Sequence, residues 1–146
     1  MNTRIRAALC AAACMASGLA QANSPLGKWR TVDDKTGEVK SIVVIEENAG
    51  VLRGKVRQIL RKDVDPAAKC GLCKDDRKDQ TILGMEIIRG VKKSPDHDYW
   101  DAGEILDPEE GKLYRVRLTP LEGGAKLQVR GFLGPFWRDQ VWVKAP

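Results

Sequence analysis

The sequence has little histidine, few aromatic residues and no run of like charge. One of its 146 residues is a histidine, His97, and 5% are aromatic. A single histidine does not supply the imidazole-rich ligand sets of most zinc sites, and no Gly-x-Ser-x-Gly elbow marks a nucleophile. Basic and acidic residues are interspersed, which argues against a nucleic-acid-binding arm. These scarcities favour a non-catalytic protein with no metal, no cofactor and no nucleic-acid partner.

The first 22 residues predict a secretory signal peptide. Arg4 and Arg6 give a positive start, residues 7–20 are mostly apolar, and Ala20-Gln21-Ala22 has the small-x-small form that precedes a cut, here before Asn23. The apolar run is too short to cross a hydrocarbon layer of about 30 Å. The chain is therefore expected to be exported, to the periplasm or the medium, without a membrane span.

Cys10 and Cys14 raise the alternative of lipid attachment within that segment. Ala7 and Ala11 stand three positions upstream, where a lipoprotein signal has an aliphatic residue. Export without a lipid anchor is the expectation.

Residues 23–146 are expected to form one domain. Excluding Arg4 and Arg6 leaves 23 basic against 20 acidic residues, a net charge of +3. This length supports a single modest core, and a weak attraction to anionic membrane surfaces remains compatible with the charge.

Regularly spaced turn sequences predict an all-β domain. Gly, Asp, Asn and Pro cluster at residues 33–38, 47–50, 107–111 and 121–124. The stretches between them predict eight strands: Leu26–Val32, Val39–Glu46, Val51–Leu60, Thr81–Arg89, Asp98–Leu106, Lys112–Thr119, Ala125–Leu133 and Phe136–Lys144. One helical turn is expected at Asp65–Ala68.

Sequential hairpins without a long crossover favour a closed up-and-down antiparallel barrel over a sandwich. In the sixth strand Tyr114, Val116 and Leu118 share one face and Arg115 and Arg117 the other. An eight-stranded barrel is either filled by side chains or holds one small ligand, and periodicity leaves both open.

Several motifs resemble a known family. A Gly-x-Trp on the first strand with an arginine from the last resembles the base of lipocalins and related calycin barrels. Over nearly the whole mature chain, "GKWRTVDDKTGEVKSIVVI", "CGLCKDD", "ILGMEIIRG", "WDAGEILDPEEGKLYRVRL" and "LQVRGFLGPFWRDQVWV" resemble a bacterial exported family named domain of unknown function 2147. The resemblance implies a lipocalin-like barrel, an exported protein and a role in binding small apolar molecules, and it implies no reaction.

The same resemblance indicates how the barrel closes. Gly27 is expected to let the indole of Trp29 cover the closed end, with Arg138 or Arg130 stacked on it. Such a cation–π contact contributes about 0.5–2 kcal/mol. This group is interpreted as structural, without ligand contact.

Cys70 and Cys73 are the two cysteines that remain after signal cleavage. In an oxidising compartment paired thiols usually form a disulfide. A redox centre needs a thiol activated by a helix start, and zinc needs two further ligands, which only His97 and a carboxylate such as Asp75 or Asp76 could supply. A structural disulfide is the preferred interpretation, and redox or metal use stays open.

The disulfide falls in a long predicted loop, Arg61–Gln80. A four-residue ring removes little chain entropy, about 2 kcal/mol, so its expected effect is to fix this loop locally. Loops of this length are usually functional or mobile, which suggests a lid beside a barrel mouth.

Neighbouring polar residues do not indicate catalysis. Glu109 and Glu110 are adjacent in a turn and point apart, so an acid–base pair is rejected. His97, between two aspartates and near Pro95, is interpreted as a hydrated turn residue.

Most of the aromatic residues are expected to pack in the core. Trp100, Tyr114 and Trp142 are the predicted ligand contacts of an exported, non-catalytic, lipocalin-like protein that binds a small, mainly apolar molecule. Two alternatives stay open: an envelope interaction module with a filled barrel and exposed rings, and a thiol–disulfide oxidoreductase using Cys70 and Cys73. Oligomeric state and ligand identity are not predicted.

Overall fold

The computed structural model describes residues 23–146, and the predicted signal peptide lies outside the described residues. The strands are β1 (Gly27–Val32), β2 (Val39–Asn48), β3 (Val51–Ile59), β4 (Glu86–Lys93), β5 (Trp100–Asp107), β6 (Lys112–Leu121), β7 (Lys126–Leu133) and β8 (Phe136–Lys144). A 3-10 turn, Glu122–Gly124, joins β6 to β7. The predicted all-β class is confirmed.

The eight strands form a closed antiparallel barrel. Each strand pairs with the next, and β8 pairs with β1. In the described chain this last ladder is short, joining Trp29 to Lys144 and Arg30 to Val143, whereas β7 and β8 pair from Leu133–Phe136 to Lys126–Val143. The predicted up-and-down barrel is confirmed.

Alternating strand directions place the connections at two ends. The β1–β2, β3–β4, β5–β6 and β7–β8 connections lie at one end, which we call the mouth end. The β2–β3, β4–β5 and β6–β7 connections lie at the other, the closed end, with Asn23 and Pro146.

The core is densest in the closed half of the barrel. Trp29, Ile45, Leu52, Val91 and Leu118 are each at most 1% exposed. They face inward because side chains alternate along each strand, and burial of each large apolar side chain stabilises the fold by about 1.5–3 kcal/mol.

Seven predicted strands agree with the structure to within two residues, and β4 differs. It begins at Glu86 instead of Thr81, because Gly84 has a φ of +88° and interrupts the extended chain. Thr81 instead pairs with Lys69 in an isolated bridge within the long loop.

The predicted helical turn at Asp65–Ala68 is wrong. The Asp65 carboxylate accepts the Ala67 N–H at 2.8 Å and the Asp65 carbonyl accepts the Ala68 N–H at 2.9 Å. The segment is a turn capped by its own aspartate, without further helical bonds.

Candidate functional site

The two cysteines form a disulfide that is buried in the β3–β4 loop. Cys70 is bonded to Cys73, and they are 0% and 2% exposed. The preferred interpretation of the Cys-x-x-Cys motif as a disulfide is confirmed.

The disulfide ring rests on the β5–β6 turn. The Cys70 sulfur lies 3.3 Å from the Pro108 carbonyl oxygen. A Cβ added at Gly111 would lie 2.2 Å from the Leu72 carbonyl oxygen, and Gly111 has a φ of +66°. Only glycine satisfies both the backbone conformation and the close approach, so this turn and the loop are fitted to each other.

Ion pairs attach the rest of the loop to the barrel wall. Arg77, 5% exposed, donates to Asp75 and, at 2.9 Å, to the Glu86 carbonyl. The hydrogen bonds from Arg77 lower the pKa of Asp75 to about 2. Asp76 accepts two bonds from Arg89, at 2.8 and 3.0 Å. The loop is therefore held on two sides, by β4 and by the β5–β6 turn.

A cavity of about 190 Å³ lies beneath this loop, inside the mouth half of the barrel. The surface of its wall is mainly apolar, and the aliphatic lining residues include Val56, Ile59, Val64, Ile82, Ile105 and Leu106. An apolar cavity of about 150 Å³ holds one benzene molecule, so the space here fits a ring-sized molecule. The interior is thus filled at one end and hollow at the other.

Two of the three predicted ligand contacts line the cavity. Tyr114 and Trp142 do, and Trp142 also belongs to the buried core. The Tyr114 ring packs over Gly131, where an added Cβ would lie 3.3 Å from the Tyr114 Cβ. Trp100 is not among the lining residues, and Lys93 lies 5.1 Å from its ring centre. The structure therefore does not place Trp100 at this cavity.

A group of paired charges surrounds the cavity opening, and we call it the rim: Asp33, Asp34, Lys40, Arg61, Asp63, Glu109 and Arg138. Glu109 lies between Lys40, at 3.1 Å, and Arg61, at 2.7 Å. Lys40 also pairs with Asp33, and Arg61 with Asp63. These pairs tie the β1–β2, β3–β4 and β5–β6 connections together.

Arg138 adds β8 to the rim through a two-point pair with Asp34, one bond being 2.6 Å. The hydrogen bonds from Arg138 hold the pKa of Asp34 below its usual range. Burial lowers the pKa of Lys40, but hydrogen bonds and charges from Glu109 and Asp33 outweigh it and leave that pKa raised.

The rim was missed by sequence reasoning. Its members come from three connections and from strands β2 and β8, and no spacing along the chain marks them. The rejection of a carboxylate pair agrees with the geometry, since Glu109 turns to Lys40 and Arg61 while Glu110 pairs with Lys112 at 3.3 Å.

The predicted arginine over Trp29 is wrong. The cation there is Lys144, whose Nζ lies 4.4 Å from the ring centre and donates to the Leu26 carbonyl at 2.6 Å. Arg138 lies near the start of β8 at the mouth end, six residues from Lys144, or about 20 Å along a strand. Arg130 pairs with Asp139 instead.

Gly27 takes part in this closed-end arrangement. A Cβ at Gly27 would lie 2.7 Å from the Lys144 Nζ, so the glycine leaves room for the ammonium. Trp29 is fully buried and donates from Nε1 to the Pro25 carbonyl at 2.8 Å. Burial lowers the pKa of Lys144.

Exposed apolar side chains gather at the β7–β8 hairpin tip, defined by Leu133, Phe136 and Trp137. They are 52%, 75% and 63% exposed. On the adjoining outer wall the Arg117 guanidinium stacks between Tyr99 and Phe132, at 4.0 and 5.4 Å from their ring centres.

His97 stacks on Tyr99 with ring centres 4.9 Å apart. Among residues 23–146 no group of three or more His, Cys, Asp or Glu side chains is placed to hold a metal ion. In that same part of the chain no helix has the length and apolarity needed to cross a membrane.

A closed eight-stranded antiparallel barrel with a cavity at one end defines the lipocalin-like class. A solved structure agrees: HP1028 from the human pathogen Helicobacter pylori, described as belonging to the lipocalin family. It is 17% identical, with a TM-score of 0.70 over 84% of each chain.

The chain belongs to the family described as uncharacterized protein conserved in bacteria (DUF2147), whose model matches residues 27–144. The predicted family is therefore confirmed. No curated protein matches the chain.

Proposed function

We propose that the protein is an exported, non-catalytic barrel that binds a small, mainly apolar molecule in the cavity at its mouth end. The observation that carries the proposal is a cavity of about 190 Å³ whose wall surface is mainly apolar and which is bordered by Tyr114 and Trp142. Apolar pockets with a few polar groups are the usual form of small-molecule sites. The lipocalin-like fold is compatible with this use.

Export rests on the signal-like residues 1–22 and is supported by the disulfide, which persists in oxidising compartments. The burial of Cys70 and Cys73 favours a structural role, because thiol–disulfide exchange requires access to a sulfur atom.

The β3–β4 loop is proposed to act as a lid. It contributes Arg61, Val64 and Ile82 to the cavity wall, and its disulfide ring rests on the β5–β6 turn through Pro108 and Gly111. Ligand entry then requires this loop to move from the turn, and the disulfide limits how far it moves.

Native mass spectrometry on protein purified gently from its own host tests the proposal. The polypeptide is expected to start at Asn23, and its mass is expected to be two hydrogens lower than that of the dithiol form. Additional mass that corresponds to a molecule of about one aromatic ring, and that is lost on mild activation, supports a carrier. Bare protein that also takes up no small apolar compound on addition contradicts it.

A second candidate function is docking on an anionic membrane surface through the hairpin tip. Three large apolar side chains protrude there, and the guanidinium groups of Arg115 and Arg117 lie over Phe132, the strand partner of Trp137. Among the ion pairs of residues 23–146 there is none of Arg115 or Arg117 with a carboxylate. Apolar rings beside cations suit the boundary between acyl chains and phosphates.

Vesicle flotation tests this second candidate. The wild-type protein is expected to float with vesicles that contain phosphatidylglycerol, and the Phe136→Ser and Trp137→Ser variants are expected to stay unbound. Val143→Ser, near the closed end, is the matched control and is expected to float like the wild type. No flotation of the wild type, or a tip that instead captures a protein, overturns the lipid assignment.

A further inference from the structure

The charged side chains that line the cavity are already matched within the protein. Lys40 and Arg61 share Glu109, and Arg138 is paired with Asp34. The remaining charged lining residue, Asp107, accepts the Glu109 N–H at 2.9 Å. In the described chain each lining lysine and arginine thus has a carboxylate partner, and Asp107 is held by backbone N–H donors and lies in the field of Arg138.

A charged ligand therefore meets an unfavourable site. A carboxylate would have to displace Glu109 or Asp34, and an ammonium would have to displace Lys40 or Arg61. Either exchange leaves a partly buried charge without its partner, which is more unfavourable than the new pair is favourable unless the geometry improves. The rim charges stabilise one another and therefore contribute little to the binding of an ionic ligand.

Neutral polar groups remain for recognition. The Thr31 and Ser41 hydroxyls lie 2.9 Å apart on neighbouring strands and line the cavity. Gln140 also lines it and accepts the Trp142 indole N–H at 2.9 Å through Oε1, which leaves its amide N–H groups as donors. Tyr114 adds a ring and a phenol to the same wall.

Resting on the proposed function, we infer that the ligand is an uncharged molecule of about one substituted ring that carries a hydroxyl or similar neutral hydrogen-bonding group. The volume of about 190 Å³ sets the size. The self-compensated rim sets the charge, and the hydroxyl pair of Thr31 and Ser41 with the Gln140 amide sets the polar group.

Three compounds of matched shape test the inference: benzyl alcohol, benzoate and benzylammonium at neutral pH. Indole N–H resonances report the site, because Trp142 lines the cavity while Trp29 is at the closed end. Benzyl alcohol is expected to shift the Trp142 signal, to leave the Trp29 signal in place, and to bind at least about tenfold more tightly than either ion.

A rim variant that lacks one negative charge sharpens the test. Glu109→Gln removes the carboxylate shared by Lys40 and Arg61, so the affinity for benzoate relative to benzyl alcohol is expected to rise roughly fivefold or more. Glu110→Gln is the matched control, since Glu110 pairs with Lys112 outside the cavity and is expected to change neither affinity.

The outcomes distinguish the inferred ligand class from the proposed binding function. Binding of either ion within about threefold of the alcohol, or an unchanged ratio in Glu109→Gln, overturns the inference and leaves the binding function standing. No binding by any of the three compounds overturns the inference as well, and if no other small apolar molecule binds, the proposed function fails with it.

Discussion

The two ends of the barrel are built on the same strands and differ in what fills them. At the closed end Trp29, covered by Lys144, is packed among fully buried aliphatic side chains. At the mouth end the same strands border a cavity of about 190 Å³, a ring of paired charges and a loop fixed by a disulfide.

The difference shows how a short barrel combines a packed core with interior space, which we propose to be the binding site. Dense packing at one end stabilises the fold. The other end leaves interior space, and its connections are joined by ion pairs and by the contact of the loop with Gly111 instead of by core packing. Changes at the closed end should therefore alter stability, and changes at the mouth end should alter ligand binding.

The largest expected effect is the loss of packing at the closed end. Trp29→Ala removes a fully buried indole and is expected to lower the free energy of unfolding by about 3–5 kcal/mol. Tyr114→Ala, which borders existing space, should lower it by about half of that or less. Denaturant titration of both variants measures the contrast, and equal losses would remove the distinction between the ends.

Two glycine substitutions separate stability from affinity. A Cβ at Gly54 would lie 2.9 Å from Ile88 in the packed core, whereas one at Gly131 would press on Tyr114 beside the cavity. Gly54→Ala is expected to destabilise the protein by about 1–3 kcal/mol. Gly131→Ala should mainly narrow the site and weaken benzyl alcohol binding about tenfold. The prediction fails if both variants change the same quantity.

Removing the disulfide should loosen the lid more than the barrel. Cys70→Ala with Cys73→Ala opens a four-residue ring, whose effect on unfolding is expected to be about 2 kcal/mol or less. Cleavage of residues 61–80 in limited proteolysis should speed up strongly, as should ligand association. Gly111→Ala is the companion variant, because its Cβ would displace the Leu72 carbonyl while the disulfide stays intact. Equal loss of global stability and loop protection would contradict the lid.

Much of the fold followed from the sequence because turn residues and alternation are local. The turn at residues 107–111 and the inward face of Val116 and Leu118 could be predicted from neighbours along the chain. The start of β4 could not, because the backbone conformation of Gly84 and the pairing of Thr81 with Lys69 depend on the folded loop.

The site was less accessible to sequence reasoning. Tyr114 and Trp142 line the cavity and their contact with a ligand stays a prediction, whereas Trp100 does not line it, because strand alternation does not give the position of a cavity. The rim joins residues as distant in sequence as Asp34 and Arg138. Such pairs have no signature in a single chain, and the prediction of Arg138 or Arg130 over Trp29 failed for the same reason.

The smallest expected effect is a loss of stability at the mouth end at low pH. Hydrogen bonds from Arg138 and Arg61 lower the pKa values of Asp34 and Asp63 from 3.8. Their contribution to stability is thus fully present above about pH 4 and is lost as the pH falls through the lowered values. Amide exchange between pH 4 and 2 should increase first at the rim, and salt should reduce the difference. Earlier exchange at the closed end would contradict this order.

Xenon binding in a crystal tests the division of the barrel most directly. Xenon enters dry apolar cavities of this size without requiring a specific hydrogen bond. We expect xenon density between Tyr114, Val56 and Ile105, and none beside Trp29 at the closed end. Density beside Trp29, or an empty mouth half at full pressure, would contradict the claim that one end of the barrel is packed and the other holds a ligand.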